Sequence, residues 1–128
     1  MGETENKAIL DRLYDEVWIG ETHDFDVIDE VFAEDAVVEY PQSGERMRGR
    51  ANIRAVEENY PALPKVTIRR TLVIGDLALV ESDLDYQGKP YQEVSIFEFR
   101  DGKIARLTQY FPEPFGAPES RARWVERI

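Results

Sequence analysis

Glu93 lies inside PYQEVSIFEFRDGKIARLTQYF, residues 90–111, a stretch that alternates between two chemistries. On an extended strand Tyr91, Glu93, Ser95, Phe97 and Phe99 point one way, and Gln92, Val94, Ile96 and Glu98 the other. The chain folds back at Arg100-Asp101-Gly102, where Asp-Gly supplies the positive φ of a tight hairpin. A two-residue turn and a three-residue loop with a bulge at the glycine both fit. The bulged form is expected, placing Glu93 opposite Gln109, Ser95 opposite Leu107 and Tyr91 opposite Phe111. One face then combines aromatic rings with a carboxylate, a hydroxyl and an amide, which is the make-up of a ligand-cavity wall. Poor hydration among those rings raises a carboxyl pKa toward the range useful for general acid or base work. Tyr40, Ser95 and Gln109 would hold or polarise a substrate oxygen. The expected catalytic set is Glu93, Tyr40 and Gln109. The chemistry is proton transfer next to a carbonyl, or a related elimination, hydration or hydrolysis, on a small apolar or aromatic molecule. The other reading of Glu93 is structural: bonded to Gln109 or paired with Arg69, it would tie the sheet together.

These side chains need a scaffold, and the periodicity supplies one. Residues 5–19 read as a helix, with Ile9, Leu10, Leu13, Tyr14, Val17 and Trp18 at helical spacing and Gly20 as the stop. Tyr14 and Trp18, four apart, are either core aromatics or the roof of a pocket. Thr22-His23-Asp24 offers a cap to a short helix over 25–32, a turn follows at Ala33-Glu34-Asp35, and 36–40 is a strand stopped by Pro41. Arg46-Met47-Arg48 returns briefly, and a helix over 50–60 turns Ile53, Val56 and Tyr60 inward. From Lys65 the period becomes two. Strands over 66–74 and 77–86 meet at Gly75-Asp76, with Arg70 opposite Glu81 outside and Arg69, Ser82 and Leu84 inside, unless a bulge turns Arg69 outward. Tyr14, Trp18, Arg69, Ser82, Tyr91, Ser95, Phe97, Leu107 and Phe111 are thus the expected substrate-binding residues. Residues 112–128 form a C-terminal extension with a helix over 119–127, anchored by Trp124, while Phe115 plugs the cavity or packs elsewhere.

Composition narrows the possibilities. A chain of 128 residues is expected to be one domain. With no cysteine and a single histidine, His23, thiol chemistry and multi-histidine metal sites are excluded, and no cofactor or metal is expected. Twenty-six acidic against 16 basic side chains give a net charge of −10, which repels phosphate backbones and argues against nucleic acid. Neither a secretory signal nor a membrane span is visible, so the cytoplasm is the expected compartment and no membrane partner is expected.

Three helices followed by a meander of long strands, with FAEDAVVEYP, the ribbon GERMRGR, YQGKPY and FEFRDGKIARLTQYF, resemble the nuclear transport factor 2-like superfamily over about residues 10–111. The resemblance implies an α+β fold: three N-terminal helices packed in a strongly curved, mostly antiparallel sheet, a cone-shaped barrel whose open end is a ligand cavity. It also implies a homodimer through the outer sheet face, here Val94, Ile96, Thr108 and Tyr110. The superfamily includes ketosteroid isomerase, scytalone dehydratase, limonene epoxide hydrolase and polyketide cyclase-like proteins, but their catalysts do not carry over. Tyr40 stands at the position of the isomerase's basic aspartate, Ser95 near its oxyanion-hole acid and Glu16 near its first-helix tyrosine, all of which argues against steroid isomerisation. A cofactor-free acid/base enzyme, a lipophilic binding module and an oligomerisation domain are the three functions the resemblance leaves open.

Overall fold

Leu10, Leu13, Tyr14 and Val17 recur at helical spacing and are all buried. In the computed structural model, which describes residues 2–128, they form the inner stripe of α1 (Glu3–Leu13) and of a π-helical turn (Tyr14–Ile19) that continues it. The wider turn is closed by Gly20, whose N–H donates to the carbonyl of Asp15 at 3.1 Å. A Cβ on Gly20 would lie 2.7 Å from that same carbonyl oxygen, so close approach of backbone requires glycine here. Asn6 ties the start of α1 to the far end of the sheet, donating to Gly75 O at 3.0 Å. Ahead of the short α2 (Asp26–Val31), the side chain of Asp24 accepts from the N–H of Asp26, and the helix buries Val27, Ile28 and Val31.

Strand β1 (Phe32–Tyr40) starts where α2 ends, so the turn expected at Ala33-Glu34-Asp35 is absent. The slack appears as an irregularity between Phe32 and Val37 in the pairing of β1 with the last strand. After β2 (Glu45–Arg48), Gly49 at φ 87° redirects the chain into α3 (Arg50–Glu58). Ile53 fixes α3 in the core, and Arg54 pins it to α2 through Asp26 at 2.8 Å and Asp29 at 2.6 Å. Four strands follow: β3 (Lys65–Ile74), β4 (Leu77–Tyr86), β5 (Lys89–Arg100) and β6 (Lys103–Tyr110). The sheet order is β2-β1-β6-β5-β4-β3, with β1 and β6 parallel and every other neighbour antiparallel. This is the expected α+β cone, a curved and unclosed six-stranded sheet around the helices.

One register differs from expectation, and a second shows the bulge left open above. The β5–β6 hairpin uses the two-residue turn, Asp101 and Gly102 at φ 51° and 73°, and the extra residue is Ala105, between Glu98 opposite Arg106 and Phe99 opposite Ile104. Ser95 therefore faces Gln109 and Phe97 faces Leu107, two residues away from the bulged-turn register. Because side chains alternate with period two, an even slip leaves every residue on its expected face. On β3 the register shifts between Ile68 and Arg70, so Arg69 occupies a bulge and is turned outward. Its side chain is 54% exposed and lies 3.9 Å from Asp83, outside any pocket.

The C-terminal extension departs further. A 3-10 helix spans Glu119–Trp124 with no buried residue, Trp124 is 74% exposed and Phe115 81% exposed. Trp124 is not an anchor and Phe115 is not a plug. Prolines at 112, 114 and 118 withhold backbone donors, and the segment is attached instead at its start, where Glu113 accepts from Lys89 at 2.9 Å and Tyr91 at 3.1 Å.

Replacing Gly20 with Ala should force the π-helical turn open. An expected loss of roughly 1–3 kcal/mol in urea denaturation, against little change for Ala at exposed Gly116, tests the close approach at Asp15.

Candidate functional site

Glu93 is placed on the hollow side of the sheet by alternation along β5, with Ser82 of β4 directly opposite it. Ser82 Oγ donates to Glu93 Oε1 at 3.1 Å, Ser95 Oγ donates to the same oxygen at 3.4 Å, and Gln109 Nε2 donates to Ser95 Oγ at 3.2 Å. Both serines and the glutamine are buried. Loss of hydration raises the pKa of Glu93, and the two hydroxyl donors, which favour the ionised form, oppose that rise. The direct bond to Gln109 expected of a structural Glu93 is replaced by a chain in which Ser95 stands between the two. The tie to Arg69 is absent, because the bulge removes that arginine.

Glu93 opens on a cavity of about 60 Å³, on a scale where one ordered water needs about 10–15 Å³. Tyr14, Trp18, Tyr40, Gln109 and Phe111 line it as expected. The ring of Tyr14 stands edge-on to Trp18 with centroids 4.8 Å apart, and Tyr40 edge-on to Phe111 at 5.1 Å. Tyr14 is only 2% exposed, and its hydroxyl oxygen has no hydrogen-bond partner among the described residues. Burial, with the charge of Glu93 second, pushes that phenol well above its ordinary range against a smaller opposing effect of the nearby Ser95 hydroxyl, so it stays neutral.

The remaining expected contacts lie elsewhere. Ser82 and Ser95 sit behind Glu93 and hold it without lining the cavity. Phe97 is wholly buried in the core, edge-on to Tyr14 at 6.2 Å. Leu107 lines only a narrow apolar crevice behind Trp18 and Gln109. Tyr91 stands at the rim, against Tyr86 and bonded to Glu113. Glu16, matched above to a catalytic tyrosine, pairs with Arg12 on the outside of the helix at 2.8 Å.

Sequence reasoning missed a second acid. Glu57 of α3 lines the cavity opposite Glu93 and accepts from Trp18 Nε1 at 3.4 Å. Burial raises its pKa to about 7; the Trp18 bond opposes the rise and the charge of Glu93 adds to it. The signal was present, since Glu57 follows the buried Ile53 by four residues and so shares its side of α3. Tyr60, Leu63, Pro64, Val66, Leu84 and Tyr86 complete the wall. Among the described residues no group of three or more His, Cys, Asp or Glu gathers to hold a metal, and no helix is long and apolar enough to cross a membrane.

The SnoaL-like domain family matches residues 10–107. An NTF-2 like protein of unknown function from Burkholderia xenovorans is 38% identical, with 100% of this chain and 98% of that one covered and a TM-score of 0.84. A suspected ketosteroid isomerase from Kribbella flavida is 29% identical over 98% of this chain and 91% of that one, with a TM-score of 0.88. An LEH-like epoxide hydrolase from M. tuberculosis is 25% identical over 86% and 81% of the two chains, with a TM-score of 0.62. No curated protein matches.

An acid whose pKa rises on folding keeps its proton longer in the folded state, so the stability it allows is full below the unfolded value near 4.5 and falls as pH climbs to about 7. Glu57→Gln should remove that fall, leaving the variant roughly 1–2 kcal/mol more stable than the parent above neutrality and little different in acid. Urea denaturation across that pH range measures it.

Proposed function

Because the chain belongs to the SnoaL-like domain family, within the nuclear transport factor 2-like fold, we propose that it is an acid/base enzyme of the isomerase, dehydratase or hydrolase type, needing no cofactor. The observation that carries this reading is the pair of carboxyls, Glu57 and Glu93, facing one cavity lined by aromatic rings, with desolvation raising both and Glu57 reaching about 7. Acid and base roles are separated when two titratable groups have different surroundings. Glu93, with two hydroxyl donors on one oxygen, is the better base. Glu57, with a single long bond from Trp18, is the better proton donor near neutrality.

Tyr14 supplies the third part. A neutral phenol with no other partner donates to a substrate oxygen as negative charge builds on it, and Tyr40, likewise raised chiefly by burial, stands on the neighbouring wall. Gln109 holds Ser95, and through it Glu93, while also lining the cavity. The substrate is small, to suit the space, and the reaction is proton transfer beside a carbonyl or a related elimination or hydration.

The chain also pairs with a second copy, in this reading, through the outer face of the sheet. Leu72 is 45% exposed and Tyr110 41% exposed there, with Leu79, Val94, Ile96 and Thr108 part-exposed between them, a continuous apolar band that a second copy would cover.

A thermal-shift screen of small ketones, epoxides and hydroxy acids, followed by assay of the hits, tests the enzyme. Glu93→Gln should lower kcat/KM about 10²–10⁴-fold and Tyr14→Phe about 10-fold or more, while the parent profile should decline above pH 7 as Glu57 loses its proton. Full turnover in Glu93→Gln would overturn the assignment. Light scattering of Ile96→Lys should return half the parent mass; equal masses would place any interface elsewhere.

A further inference from the structure

The cavity contains two carboxyl groups and six aromatic rings, those of Tyr14, Trp18, Tyr40, Tyr60, Tyr86 and Phe111, and no Lys, Arg or His. The basic side chains around it are engaged elsewhere. Arg54 pairs with Asp26, Asp29 and Glu58, Arg106 with Glu39, Arg69 with Asp83 and Lys89 with Glu113. Two acids in a poorly hydrated chamber without a countercharge are relieved either by taking up protons or by admitting a cation. The rings act in the same direction, since Trp and Tyr present electron-rich faces that attract ammonium groups. A net charge of −10 adds a field that concentrates cations near the mouth.

We propose that the ligand of this cavity carries a small organic ammonium group, a tertiary or quaternary amine, with its nitrogen between Glu57 and Glu93 and its methyl groups against the ring of Trp18 and its aromatic neighbours. The apolar lining favours an alkylated nitrogen over a metal ion, for which no group of three or more ligands gathers among the described residues. The inference rests on the preceding reading of the cavity as the substrate site and names the substrate class. A positive nitrogen beside both carboxyls lowers their pKa values, so that Glu93 stays ionised and Glu57 gives up its proton more readily, and ligand entry is coupled to the protons they carry. Glu57 shares the cavity with Glu93 on β5, Tyr40 on β1, Tyr86 on β4 and Tyr60 in the segment just after α3. The three tyrosines are raised and stay neutral, which leaves Glu93 as the other group whose charge changes.

Choline and its uncharged isostere 3,3-dimethylbutan-1-ol separate charge from shape. Calorimetric titration of the parent protein near pH 8.5 should show choline binding about tenfold or more tightly than the alcohol. Near pH 5.5, with Glu57 protonated, the preference should shrink severalfold. The Glu57→Gln/Glu93→Gln double variant should lose it, and the parent's own pH dependence tests the idea without any variant. Equal binding of the two probes, or binding of neither, overturns the inference. Equal binding together with Glu93-dependent turnover of a neutral carbonyl compound overturns it alone and leaves the acid/base reading standing. A choline preference that vanishes in the double variant, with no turnover of any amine or carbonyl compound, sustains the cation site and overturns the acid/base reading.

Discussion

A carboxyl group on the hollow face of a sheet persists only where donors meet it, and here three strands must be in one register for that to happen. Ser82 on β4, Glu93 and Ser95 on β5, and Gln109 on β6 form one connected set of hydrogen bonds. Each link depends on a cross-strand neighbour: Ser82 lies opposite Glu93, and Ser95 opposite Gln109. A slip of one residue on either strand would send a partner to the solvent face and leave the acid buried without support. The bulge at Ala105 and the two-residue turn at Asp101-Gly102 are therefore part of the site, although both are far from the cavity.

The helices contribute the opposing wall. The wider helical turn at Tyr14–Ile19 brings Tyr14 and Trp18 edge to face over the sheet, at a place where such turns often accompany function. Arg54 holds α3 to α2 from outside, and so fixes the direction from which Glu57 enters. The cavity's two acids thus have different anchors: one is held by hydroxyls within the sheet, the other by an indole across a helix contact. Their surroundings differ, and so does their grip on protons.

Much of this was legible from residue order, because alternation and helical spacing record which face a residue takes. Glu93, Tyr40, Gln109, Tyr14, Trp18 and Phe111 were placed by face, and the two-residue error in the hairpin register did not disturb them. Depth was harder to read. Ser82, Ser95, Phe97 and Leu107 share the right face but lie behind others, since periodicity carries no information about how far a neighbour reaches. Arg69 leaves the hollow face because a single extra residue inverts its side, the alternative that an inward arginine had left open. Glu57 was not singled out. Its position on the Ile53 stripe shows that spacing should have outweighed residue type. The apolar residues of the C-terminal extension read as buried, yet its prolines keep them from the sheet.

Because the sheet does not close, β3 is left as a ten-residue border strand with a free row of backbone groups on one side. Such borders invite another molecule's strand to add on without limit. The kink at Arg69 breaks the straight run of that row, and three cations, Lys65, Arg69 and Arg70, crowd its length. A kink and crowded like charges are the features that blunt a border strand against such addition, and the arginine that left the cavity supplies both.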